Sequence, residues 1–184
     1  MRTNRAAALR VLANDTAFRI VAELRAHGPR TTEALSGALR DVATSSLYRQ
    51  LAKLREAGVL QVVAERKARG AVERTYALGE RGATVFDAQT LASTPVKTLR
   101  STVRNLLTTL LTDVTSFIES AQFRKRPASI LAGAYACDLT DEDYRKAAEG
   151  MHRALISAKK RSAGSSKAVR RVFYAIALPQ VLGE

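Results

Sequence analysis

The stretch LYRQLAKLREAGVL limits what this chain can fold into more than any other. Leu47, Leu51 and Leu54 recur at i, i+4 and i+7, Ala57 extends the stripe, and Gly58 stops it just before the apolar run Val59 to Ala64. Residues at that spacing share one helix face, and the face needs a core to cover it. Gly58 supplies the C-terminal stop, and the β-branched residues after it suit a strand. A helix that passes straight into a strand, each half apolar, needs packing partners on both sides.

The flanking sequence supplies them. NDTAFRIVAELRA, residues 14–26, places Phe18, Val21, Ala22 and Leu24 near helical spacing, with Asn14 or Asp15 as N-cap and Gly28-Pro29 as terminator. Thr31 can cap a second, shorter helix whose Glu33 suits the first turn and whose Ala34, Leu35, Ala38 and Leu39 form the inner face. Arg40-Asp41-Val42 is then a tight connection into the leucine-striped third helix. Beyond the Val59 run, the polar loop ERKARGA and the segment ERTYAL complete a hairpin. The order is helix, helix, helix, hairpin.

A further helix is expected from Gly82 to about Ser93, ended by Thr94-Pro95 because the residue before proline avoids the α region. A long helix follows from Val96 to Ala121. Its apolar face is too wide for a small neighbour alone, so part of it belongs to the intrachain core, part to a second chain, or both. Leu99, Val103, Leu106, Leu110 and Phe117 are its candidate dimerisation residues. The remainder reads as a strand over Ser129 to Cys137, a helix in LTDEDYRKAAEGMHRAL capped by Thr140, and a strand in VRRVFYAIAL. The expected fold is therefore mainly α with small β. A winged helix-turn-helix domain fills residues 1–81, and residues 82–184 hold a helical dimerisation segment and a small C-terminal α+β region. An effector pocket is expected between the long helix and the strands of 129–137 and 169–178.

Lysine and arginine number 30 against 17 acids, a net charge of +13, spread almost evenly over the two halves. Such an excess favours a polyanionic partner without localising it. One cysteine, Cys137, rules out an internal disulfide framework and fits a reducing compartment. No apolar run approaches the roughly 18 to 20 residues that span a bilayer, and the start is too charged for a signal peptide, so a cytoplasmic protein is expected. His27 and His152 lie in no nucleophile or carboxylate motif, and no phosphate-binding glycine loop is present. The reading is a non-enzyme with no cofactor, no metal site and no catalytic residues.

The third helix explains the partner better. Its leucines face inward, which leaves Thr44, Ser45, Ser46, Tyr48, Arg49 and Lys53 outward, where the N-terminal half of such a helix enters a major groove. Short hydroxyls permit close approach to phosphates or base edges, and Tyr48 and Arg49 have the reach to bond a base. Thr31 and Thr32, at the start of the second helix, are candidate phosphate contacts. Arg66, Lys67 and Arg69 lie beside Gly70 at the hairpin, where cations meet an adjacent phosphate or a narrow minor groove.

The run LRDVATSSLYRQLAKLREAGVLQVVAERKARGAVERTYAL resembles the winged helix-turn-helix of ArsR-like bacterial transcriptional repressors, with some likeness to PadR-type regulators. The segments SSLYRQL, LREAGVL and RG…ERTYAL carry the likeness, which covers roughly Asn14 to Leu78. It implies a homodimer on a pseudo-palindromic operator of double-stranded DNA, often released by a small-molecule effector. By position, the DNA contacts would be Thr44, Ser45, Ser46, Tyr48 and Arg49, with Arg66, Lys67 and Arg69 in the wing. Metal-sensing members carry paired Cys or His ligands, and the second and third helices here hold neither. Ala43 stands where such proteins often have a capping serine, so Asp41 or Thr44 is expected to cap the third helix instead. The competing readings are a winged helix used for protein assembly, with charge serving solubility, and one that binds RNA.

Overall fold

The computed structural model describes residues 3–68, 71–79, 88–125 and 136–176. By contact the chain forms two compact units. One holds everything up to Glu119 together with the segment that starts at Val172, and the other is Ser120–Arg171.

The first unit begins with a helix the sequence pattern did not signal, α1 (Thr3–Leu12), which buries Ala8, Leu9 and Leu12. Helix α2 (Asp15–His27) follows, with Asn14 Oδ1 accepting from the Ala17 amide at 3.1 Å and Gly28 closing the far end onto the Leu24 carbonyl. It buries Ala17, Phe18, Ile20, Val21 and Leu24; Ala22, expected on that face, is only half-buried. A two-residue strand β1 (Arg30–Thr31) leads into α3 (Thr32–Ala38), where Thr31 caps the Ala34 amide at 3.1 Å. Leu35 and Leu39 go inward, whereas Ala38 is exposed.

Helix α4 (Thr44–Glu56) is the leucine-striped element. Leu47, Leu51, Leu54 and Ala57 are all buried, so the opening pattern is a core stripe in fact. Gly58 adopts φ 69, the left-handed turn that lets Val59 enter the sheet, and Val59 and Leu60 extend the same core.

The sheet is antiparallel, in the order β1-β3-β2. Strand β2 (Leu60–Ala68) pairs with β3 (Ala71–Leu78) in register from Leu60 opposite Leu78 to Ala68 opposite Ala71, with an irregularity between Val62 and Ala64. The expected polar loop is thereby corrected. Glu65 to Ala68 belong to the strand, because two nearly full-length strands satisfy their backbone groups along the whole hairpin. Where the hairpin ends, Gly79 approaches α4's exit so closely that a Cβ there would lie 2.8 Å from the Gly58 carbonyl oxygen. The Gly79 amide donates to Val59 at 2.9 Å, so the wing is fastened to the end of α4 by backbone.

Of the helix expected over 82–93, residues 82–87 lie outside the described residues and α5 (Ala88–Ala92) is its described part. Helix α6 (Val96–Glu119) then packs across α1 and α2. It does so through polar side chains as well as Leu106. Thr102, 1% exposed, donates to the Thr98 carbonyl at 2.9 Å, and Asn105 Nδ2 donates to the Leu12 and Ala13 carbonyls at 3.2 and 3.3 Å. Asn105 thus satisfies carbonyls that the end of α1 leaves without intrahelical donors.

The expected C-terminal strand over 169–178 is corrected as well: residues 169–176 form no strand. A strand requires a ladder partner, and this segment is instead held by a side chain. The Tyr174 hydroxyl donates to Asp113 of α6, with Arg25 of α2 also interacting with it. Burial, and after it the bond to Asp113, push the phenol above its ordinary range. Most of the strand expected over 129–137 lies outside the described residues, and Ala136 and Cys137 are not in a strand. The proposed effector pocket therefore has no strand walls among the described residues.

The second unit contains α7 (Ala121–Lys125) and α8 (Asp141–Arg161). Thr140 caps α8 by accepting from the Asp143 amide at 3.2 Å.

Candidate nucleic-acid interface

Helices α3 and α4 and the turn between them are set by a bridge from α2. Arg19 donates with both terminal nitrogens to the two oxygens of Asp41, each at 2.7 Å, in a fork that fixes the turn against α2. The guanidinium holds the Asp41 carboxyl down at about 2, through its hydrogen bond first. Asp41 is therefore occupied and caps nothing. Ala43 is the N-cap of α4 and makes no side-chain cap bond, and Thr44 is the first helical residue. Neither expected cap forms. Among the described residues no side chain caps the opening amides of α4, so the positive end of its dipole is open to an anion.

From that end the outward face reads Thr44, Ser45, Tyr48, Arg49 and Lys53, all exposed, with Ser46 half-buried. Tyr48 is 56% exposed and stands away from the scaffold instead of leaning on it. Arg49 reaches back to Ser46 Oγ at 3.5 Å, a contact at the limit of a hydrogen bond. Among the described residues neither Arg49 nor Lys53 meets a carboxylate. The two threonines at the start of α3 are placed differently. Thr31 spends its hydroxyl on the cap, and Thr32 is buried at 9% exposure.

Two of the wing cations are paired with acids across the strands. Arg66 donates to Glu73 across the strands at 2.9 Å, and Arg74 donates to Glu65 at 2.8 Å, which raises the Arg74 guanidinium above its ordinary value. Register puts Arg66 and Glu73 on one face of the ribbon, and Glu65, Lys67, Val72 and Arg74 on the other. The sequence does not single out Arg74, because which face of a hairpin a strand residue takes depends on its pairing. Only the pairing register sets it beside Lys67. Arg69 lies outside the described residues.

On α6, Val103, Leu107, Leu111, Val114 and Ile118 form an exposed apolar stripe. Of the residues expected at a dimer contact, Val103 belongs to this stripe, Leu106 packs on the core, and Leu99, Leu110 and Phe117 are half-buried between the two faces. A shallow groove runs over its first half, lined by Val96, Leu99, Val103 and Leu107, with Arg100 and Arg104 alongside. No described helix is long and apolar enough to cross a membrane.

Residues 12–63 match the helix-turn-helix domain family. The match spans α2 to the first part of β2 and supports a DNA-binding, non-enzymatic regulator. No curated protein matches the chain.

Proposed function

We propose that the chain is a sequence-specific regulator of transcription that binds duplex DNA as a homodimer. One observation carries the reading: the outward face of α4 presents short hydroxyls, Tyr48 and two cations that meet no carboxylate among the described residues, around an uncapped helix start and beside a two-stranded wing. The open amides of Thr44 and Ser45 suit a phosphate, and Tyr48 and Arg49 suit base edges. Lys53, Lys67 and Arg74 add phosphate contacts, and Arg66 adds one when it leaves Glu73. Thr32 drops out of the contact set because it is buried.

Pairing of two copies through the exposed stripe of α6 would present two α4 helices to successive major grooves, about 34 to 36 Å apart. Repression by occupancy of a pseudo-palindromic operator, with release by a small molecule, is the mode the ArsR-like resemblance implies. Selection of duplex DNA from random sequence, repeated with Arg49→Ala, tests the reading. A defined consensus that loses base preference in the variant supports it; random selected sequences overturn it.

Val63 and Val72, each about half exposed on the wing, favour a second reading, a winged helix that docks a protein. The two separate on salt. A DNA reader loses affinity linearly in log salt, and an apolar protein contact does not.

A further inference from the structure

None of the residues of α8 is buried, although the helix is amphipathic. Tyr144, Ala148, Met151, Leu155 and Ala158 follow one another at intervals of four, three, four and three, a continuous stripe over about 22 Å of this 21-residue helix. Tyr144 and Met151 are each about half exposed. Such a stripe calls for a covering surface.

The charges say what kind. The first turn holds Asp141, Glu142 and Asp143, and the last holds Lys159, Lys160 and Arg161. The helix dipole alone favours that arrangement. What it leaves open is how those charges sit relative to the stripe. Counted outward from Met151, Asp141 falls opposite Arg161 and Asp143 opposite Lys159, all at the edges of the stripe; Glu142 and Glu149 lie on the far face, where they pair with Lys146 and Arg153 of the same helix. Large side chains fall opposite small ones in the same way: Tyr144 opposite Ala158, and Leu155 opposite Ala147. The helix is complementary to itself reversed.

We propose that α8 is a self-association helix whose apolar stripe is covered by α8 of a second copy of this chain, running antiparallel and centred on Met151. The pair is isologous, so one two-fold axis satisfies both copies with the same contacts. A parallel copy would set acid beside acid and base beside base at both ends. The proposal does not depend on DNA binding.

Cross-linking of the full chain without DNA tests it. Cys137 is the only cysteine and is exposed, so each variant is made on Cys137→Ser. Met151→Cys should give a disulfide dimer on mild oxidation. Ala158→Cys alone should not, because its two copies would lie about 21 Å apart in the antiparallel pair. Ala158→Cys mixed with Tyr144→Cys should give the mixed dimer, because both positions lie on the stripe and fall opposite each other about Met151. Self-linking of Ala158→Cys indicates a parallel pair and overturns the proposal. So does absence of the mixed dimer, the result expected if the stripe packs on its own chain or receives a different protein. Because no DNA is present, a chain that fails to select a DNA sequence can still pass this test, and the reverse.

Discussion

Replacing Glu73 by glutamine should strengthen DNA binding, and the size of the effect follows from the wing. Glu73 accepts from Arg66 at 2.9 Å; its side chain is only 18% exposed, while that of Arg66 is 77% exposed. The carboxylate is thus held in place and the guanidinium is free to swing away once a phosphate outbids it. Each phosphate that a cation neutralises contributes about 0.9 to the slope of log affinity against log salt. Glu73→Gln should steepen that slope by up to about 0.9 per copy, or about 1.8 for two copies. Over a fourfold change in salt, one such contact is worth roughly 3.5-fold in affinity. Arg66→Gln should flatten the slope by a similar amount, and Glu73→Gln added to Arg66→Gln should then change little. Fluorescence anisotropy with any labelled duplex suffices, since this term is independent of sequence. If Glu73→Gln leaves the slope unchanged, or acts equally without Arg66, the ion pair does not compete with phosphate and the reasoning fails.

Three further outcomes concern the scaffold. Leu54→Ala, at a side chain with no exposure, should cost about 2 to 5 kcal/mol in urea unfolding, and a loss below about 1 kcal/mol would mean the stripe of α4 is not core. Thr31→Ala should cost about 1 kcal/mol through the lost cap of α3, and Thr31→Ser should restore most of it; equal losses in both variants would assign the effect to packing. The Arg19–Asp41 bridge should make stability depend on pH. The folded carboxyl lies at about 2 against an ordinary 3.8, so its contribution is complete above about 4 and disappears as pH falls through about 2. The difference in melting temperature between the protein and Asp41→Asn should therefore shrink between pH 5 and pH 2, and more weakly in high salt because the pair is exposed; a constant difference would exclude the bridge as its source.

Short-range pattern carried most of the first domain. Leu47, Leu51 and Leu54 announce α4 because helix period is local, and Asn14, Thr31 and Thr140 announce helix starts because a cap bonds an amide three residues on. The outward face of α4 follows from its inward one by geometry alone. Elements that depend on distant partners were less legible. Strand β1 exists only because Arg30 and Thr31 find Tyr76 and Thr75, and α1 is held by α2 and α6 more than by a stripe of its own. The segment VRRVFYAIAL has strand composition, yet composition cannot provide a ladder partner.

The division holds at the candidate site too. The amino-acid order determined which residues α4 turns outward and that cations cluster on the hairpin, since both rest on periods of a few residues. Tertiary structure decided the rest. It gave Asp41 to Arg19 and left α4 uncapped, buried Thr32, paired Arg66 with Glu73 and Arg74 with Glu65, and turned Leu106 inward while Leu107 and Leu111 stayed exposed. Each of these outcomes joins side chains by register or packing across elements, and no spacing along the chain encodes the distance between them.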